Sequence, residues 1–222
     1  MNKEIEIIDF EENDDFYILN TYGEDLTKKQ YVCNPAIARE SEIKRTLIVL
    51  LTPEKSALLI GNAGIGKTAI VEGIAYLIQR NEVPDVLKGY KLIKINSTSL
   101  TGKITKDGKE ELIITALVRE LKKLTKTILF IDEVHTLIGG SEDGPMDLAN
   151  ILKPALDRGD VKVIGATTTE EFNAYVVRDR AFLRRFDKVE VVDPSLDTTV
   201  KILMGTLPKI EKQTGIKFKY NE

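Results

Sequence analysis

The chain of 222 residues has a single cysteine, Cys33, and a single histidine, His135, and each scarcity excludes a chemistry. One thiol cannot close an internal disulfide, which fits a reducing compartment. One cysteine and one histidine cannot assemble a Cys/His zinc site. A surplus of basic charge is also missing: 32 Lys and Arg stand against 35 Asp and Glu, for a formal net charge of −3. No nucleic-acid partner is expected from that balance. Apolar runs are short, and the longest, such as Leu47–Leu51, fall far below the roughly 20 residues that cross a bilayer. No membrane partner is expected. The opening residues, MNKEIEIIDFEENDD, are mainly acidic and lack a targeting pattern, so a cytoplasmic location is expected. No internal repeat or low-complexity segment is visible.

The sequence does have one highly specific stretch, ALLIGNAGIGKT at residues 57–68. An apolar strand pattern ends in Gly61-Asn62-Ala63-Gly64-Ile65-Gly66-Lys67-Thr68, which is G-x-x-x-x-G-K-[ST], and Ala69 begins the following helical turn. Glycines allow the backbone a tight turn and a close approach to a ligand. Successive N–H groups then face phosphate oxygens, reinforced by the positive end of the helix beginning near Lys67. Lys67 is expected on the β and γ phosphates of ATP or ADP. The Thr68 hydroxyl is expected on Mg²⁺, which takes few protein ligands and keeps several waters.

Periodicity and turn signals place the remaining elements around this loop. Residues 1–33 read as a linker or arm, with Ile5, Ile7, Phe16, Tyr17 and Leu19 as its anchors. A helix capped by Ser41 runs to Pro53, and others follow Lys67, Leu112, Pro145 and Thr169. Apolar runs at Ala57–Ile60, Lys91–Asn96, Thr127–Ile131, Val161–Ala166 and Lys188–Val192 read as strands. The expected fold is α/β: a five-stranded parallel sheet over residues 34–194 with helices on both faces. Residues 97–108 read as a loop. Residues 195–222 begin a further helix capped by Ser195, with Val200, Leu203 and Leu207 inward and Pro208 as a possible interruption.

Three further groups could share chemistry with the phosphate loop. Asp132 and Glu133 end a buried apolar strand, where ligands of open α/β sheets collect. There Asp132 would hold the metal and Glu133 would polarise an attacking water; two carboxylates opening a solvated loop is the plainer alternative. Thr167 and Thr168 end the next strand, placed either to sense a γ phosphate or to cap a helix. Arg184 and Arg185 offer planar, permanently charged phosphate donors, or a solvated pair between apolar neighbours. His135 is assigned no role.

Taken together, these residues resemble the first ATPase domain of the ClpA/ClpB/ClpC class of AAA+ ring chaperones. The likeness is carried by Tyr22–Thr27, Gly61–Gly73, LFIDEVHTL at 129–137, MDLANILKPAL at 146–156, Gly165–Thr168 and Leu183–Phe186. It implies a P-loop ATPase large subdomain that binds nucleotide at a ring-subunit interface, in a homo-oligomer expected to be a hexamer, acting on unfolded or aggregated polypeptides. It makes Thr168 the first sensor, Arg184 and Arg185 the arginine fingers acting on a neighbour's nucleotide, Ile37 of NPAIAR an adenine contact, and residues from Ser195 the start of a helical lid. Two departures stand out. Ala38 replaces the family's usual glycine, with a tighter adenine pocket expected, and the pore-facing loop Leu100–Gly108 contains no aromatic residue. The second reading is therefore a regulatory or scaffold module that assembles with ATP without threading polypeptide.

Overall fold

In a computed structural model, the structure describes residues 16–106, 108–138, 151–152 and 161–219. Five strands form its main sheet: β2 (Ser56–Ile60), β3 (Lys91–Asn96), β6 (Thr127–Asp132), β7 (Val161–Thr167) and β8 (Phe186–Glu190). They run parallel in the order β3-β6-β7-β2-β8, as expected. A sixth strand, β1 (Gly23–Asp25), adds antiparallel to the β3 edge. Residues 17–28, expected within the arm, therefore fold onto the sheet as helix α1 (Tyr17–Tyr22), β1 and a 3-10 turn over Leu26–Lys28.

Because strand side chains alternate in direction, each central strand feeds two cores. Leu58, Ile60, Leu129, Ile131 and Val163 enter one cluster, which packs against α1 and α5 (Ile113–Leu121). Ala57, Leu59, Ile128, Phe130 and Ile164 enter the other, against α2 (Glu40–Leu51) and α3 (Lys67–Gln79). Every residue of β2 is buried. Full burial of each Leu or Ile side chain contributes about 1.5–3 kcal/mol, so this double-sided burial fixes the register of the strand that delivers the phosphate loop.

Several local expectations change. The helix expected from Ser41 starts at Glu40 with Arg39 in the cap position, and the Ser41 hydroxyl instead donates to Glu42. Residues 97–108 hold a helical turn, α4 (Ser97–Leu100), and a hairpin of β4 (Lys103–Lys106) with β5 (Lys109–Leu112). Strand β8 lies two residues earlier than the apolar run, because Phe186 to Glu190 pair with Ser56 to Ile60. Beyond β6 lies α6 (His135–Ile138), and beyond β7 comes α7 (Thr169–Glu171), which continues as a π-helical turn over Phe172–Val176. The helix expected from Pro145 to Leu156 lies outside the described residues except at Ile151 and Leu152.

Helix α8 (Arg180–Arg185) precedes β8, and the long α9 (Leu196–Thr214) follows it. Ser195 caps α9 by accepting from Thr198 N. Pro208 lies inside an uninterrupted α9. Its missing N–H frees a carbonyl one turn back, at exposed Met204, where water can satisfy it. Val200 and Leu203, expected inward, are 50% and 61% exposed. Among the described residues, no helix is long and apolar enough to cross a membrane.

Candidate functional site

The carboxyl ends of β2, β6 and β7 meet at a cavity of about 470 Å³ lined by Ala63–Thr68, Asp132, Glu133 and Ala166–Thr168, with Glu171 at its side. The phosphate loop enters from β2 and leaves as α3, with Gly66 at φ +102°, a left-handed conformation that a side chain would strain. The Lys67 ammonium donates to the carbonyls of Gly61 (2.7 Å) and Asn62 (2.9 Å). Partial burial pulls its pKa down, against the opposing charges of Asp132 and Glu171. A lysine folded onto its own loop is a compact charge held beside the space where phosphates would lie.

The Thr68 hydroxyl, in the first turn of α3, donates to Asp132 Oδ2 at 3.0 Å. Two hard oxygen donors on facing elements, one ionisable, are the donor set that Mg²⁺ prefers. Lys94 Nζ approaches the same carboxylate oxygen at 3.8 Å. Glu133 follows at φ +53°, an uncommon conformation for a residue with a side chain, and it is exposed to the cavity mouth. Its turn is pinned by Val134 N, which donates to Ala166 O at 3.0 Å. Gly165 permits that approach, since a Cβ there would lie 3.2 Å from a Val134 methyl and 3.1 Å from Leu58.

Thr168 caps α7: its hydroxyl oxygen accepts from Glu171 N at 3.2 Å, while Thr168 N donates to Glu171 Oε2 at 3.0 Å. Capping and phosphate sensing are compatible, because the cap uses a lone pair and leaves the hydroxyl proton to donate. Thr167, at the buried end of β7, donates to Glu171 Oε2 (3.3 Å) and lies 3.2 Å from His135 Nδ1. His135 Nδ1 in turn is 3.0 Å from Glu171 Oε2. Burial pushes the Glu171 carboxyl up, but the Thr168 bonds, the His135 charge and the Thr167 hydroxyl outweigh it and hold the group below the usual range. Glu171 and His135 were assigned no role from sequence. Glu171 was legible there as the fourth residue of Thr-x-x-Glu, a capping-box pattern.

Other expected site residues lie apart from the cavity. Ile37 is not among its lining residues and abuts α9, where a Cβ on Gly205 would come within 2.6 Å of Ile37 Cδ1. Ala38 adopts φ +56°. That is a left-handed conformation, which glycine adopts without the cost a side chain brings. Arg184 and Arg185 end α8 at the amino end of β8, opposite the cavity. Arg184 is exposed, and its carbonyl accepts from Lys55 Nζ at 3.0 Å. Phe182 and Phe186, on either side of the arginines, stack in the core with ring centroids 3.9 Å apart and planes 5° from parallel. In the hairpin, Ile104 is 1% exposed and belongs to the core, so it offers no apolar surface to a passing chain.

Comparison with known proteins agrees with this geometry. The profile of the ATPase family associated with various cellular activities (AAA) matches residues 57–194. A probable ATP-dependent Clp protease ATP-binding subunit of Chlamydia pneumoniae is 41% identical over 210 residues, covering 93% of this chain and 25% of that protein. The chaperone protein ClpB of Aquifex aeolicus is 41% identical over 203 residues, covering 90% of this chain and 20% of that protein. Among solved structures, the S. cerevisiae Hsp104–ADP complex matches with a TM-score of 0.76 and 43% identity, over 90% of this chain and 29% of that one. The Hsp104:casein complex in its extended conformation matches with a TM-score of 0.76 and 44% identity. The chain thus spans about a fifth to a quarter of the curated relatives it matches.

Proposed function

The chain belongs to the AAA family of ATPases, and on that premise we propose that it is the nucleotide-hydrolysing module of a ring-forming Clp-class chaperone or unfoldase. The observation that carries the reading is the 3.0 Å pairing of Thr68 and Asp132 at a glycine-rich phosphate cradle, with Glu133 at the mouth of the same cavity. ATP binds with its phosphates along the Gly61–Ala69 backbone, and Lys67 turns from the Gly61 and Asn62 carbonyls onto the β and γ phosphates. Thr68 and Asp132 would hold Mg²⁺, which would supply neutralising charge to the phosphates. Glu133 accepts a proton from the attacking water as the bond to ADP breaks, and the Thr168 hydroxyl donates to the γ phosphate.

Arg184, with Arg185 beside it, lies at the end of the sheet opposite its own cavity and acts on the nucleotide of the next subunit in a hexameric ring. Ile37 touches adenine where the 34–39 segment meets α9, and residues from 195 open the lid. Similarity to a chaperone protein ClpB, and to Hsp104 in a complex with casein, supports unfolded or aggregated polypeptide as the client. A module that assembles on ATP but grips no polypeptide is the second reading, and the burial of Ile104 favours it.

The test is ATP binding and turnover by the full protein and its Glu133→Gln variant. The amide still hydrogen-bonds water but cannot take its proton, so binding persists and turnover falls at least about a hundredfold. Normal turnover by that variant removes Glu133 from the chemistry and overturns the assignment.

A further inference from the structure

The cavity is bordered by a polar cluster that the hydrolytic roles do not use. One carboxylate oxygen, Glu171 Oε2, lies within hydrogen-bond distance of three groups: Thr168 N at 3.0 Å, His135 Nδ1 at 3.0 Å and Thr167 Oγ1 at 3.3 Å. They come from different turns. His135 opens α6, two residues after Glu133, whereas the threonines end β7 and begin α7. The imidazole is only 12% exposed and stacks on Tyr175 at 6.2 Å with planes 20° apart, which fixes its direction. With the hydrogen on Nδ1, the ring donates to Glu171 and leaves the Thr167 hydroxyl to donate to the same oxygen.

We propose that His135 and Glu171 are a positioning pair that joins the turn bearing the hydrolytic Glu133 to the turn bearing the sensor Thr168. The proposal rests on the roles given above to those two residues. Apart from the contacts of His135 with Glu171 and Thr167, the two turns are joined by the bond from Val134 N to Ala166 O. A single bond leaves the turn at Glu133, with its φ of +53°, free of any other fixed point beyond the paired strand ends. With the pair, the imidazole–carboxylate contact is a second attachment, and two attachments restrict rotation about the first. The relative placement of the water-activating carboxylate and the γ-phosphate donor then becomes a fixed distance. Misplacement of about 1 Å at a reacting centre reduces rate by on the order of a hundredfold, so turnover is sensitive to the pair although neither member touches the reacting atoms. Glu171 also adds its charge to the field at Lys67.

The experiment compares steady-state ATP hydrolysis and nucleotide affinity of the assembled full-length protein with those of its His135→Phe, His135→Asn, Glu171→Gln and combined His135→Phe/Glu171→Gln variants. Phe keeps the ring volume without a donor, and Asn places an N–H near the position of Nδ1. Gln retains the acceptor that caps α7. His135→Phe should lower kcat about tenfold or more with KM for ATP within about twofold, and His135→Asn should recover most of the loss. The combined variant should be no slower than the slower single one, because once Phe replaces the imidazole the Glu171 charge has no ring donor left to hold. Wild-type turnover by His135→Phe, multiplicative losses in the combined variant, or a rise in KM at unchanged kcat would overturn the pair while leaving the hydrolytic function intact. If His135→Phe does not fold, His135→Ala takes its place and is judged by the same criteria. Absence of ATP turnover in the wild-type assembly refutes the proposed function and the pair with it.

Discussion

Arg39 and Glu42 form a buried ion pair at 2.8 Å, with side chains 7% and 9% exposed. The same guanidinium donates to Val192 O and to Ile65 O, both at 2.9 Å. One arginine thereby ties helix α2, the exit from β8 and the phosphate loop together. Removing one partner of a buried pair strands the other, and Arg39→Ala should cost about 3–5 kcal/mol. Chemical denaturation of this variant checks the value, and a loss below 1 kcal/mol would show that the junction is held by other contacts.

Acid should weaken the same junction. Burial pushes the Glu42 carboxyl up, but hydrogen bonds from Ser41 and Arg39, with the Arg39 charge, outweigh it and depress the folded-state pKa. A depressed carboxylate contributes its stability fully above the unfolded value, and the contribution is lost as pH falls through the folded value. Thermal melts on acidification should therefore drop faster for the wild type than for a Glu42→Gln variant. Parallel curves would refute the assignment.

Ala38 at φ +56° carries a left-handed conformation that disfavours any Cβ. Ala38→Gly should stabilise the protein by about 1 kcal/mol, raising Tm by roughly 2–4 °C. Calorimetry measures this directly, and a lower Tm would mean that the methyl group's packing outweighs the strain.

Lys67→Ala should weaken ATP binding at least about tenfold, a change of 1.4 kcal/mol or more, because the loop backbone remains while its point charge disappears. Isothermal titration gives the affinity. An unchanged value would place the phosphates elsewhere.

Arg184→Ala rings should bind ATP yet hydrolyse it slowly, since fingers supplied by a neighbour are worth on the order of 10³ to 10⁵ in rate. Mixing these subunits with Glu133→Gln subunits should restore some activity at interfaces that join an intact site to an intact finger. No recovery at any ratio argues against action between subunits.

The phosphate loop was legible because its pattern lies in contiguous residues, and the Asp132-Glu133 strand end became legible only beside it. Elements chosen by distant partners were not. Gly23–Asp25 has no apolar alternation, and only its pairing with Ile93–Ile95 makes it a strand. The hairpin did carry a local signal, Asp107-Gly108 between Lys106 and Lys109, with Gly108 at φ +72°. Residues 97–108 nonetheless read as a loop in sequence, because they hold Ser, Thr, two Gly and an Asp. The His135 contact spans 36 residues to Glu171, and no local pattern announces it.

The stacked rings of Phe182 and Phe186 bear on how a ring would assemble. They hold the chain two residues before Arg184 and directly after Arg185, so that this short backbone segment is anchored to the core within the subunit. A docking neighbour then meets a post rather than a tether. The ordering cost left at that contact is the rotamer entropy of the arginine itself, about 0.5–1.5 kcal/mol.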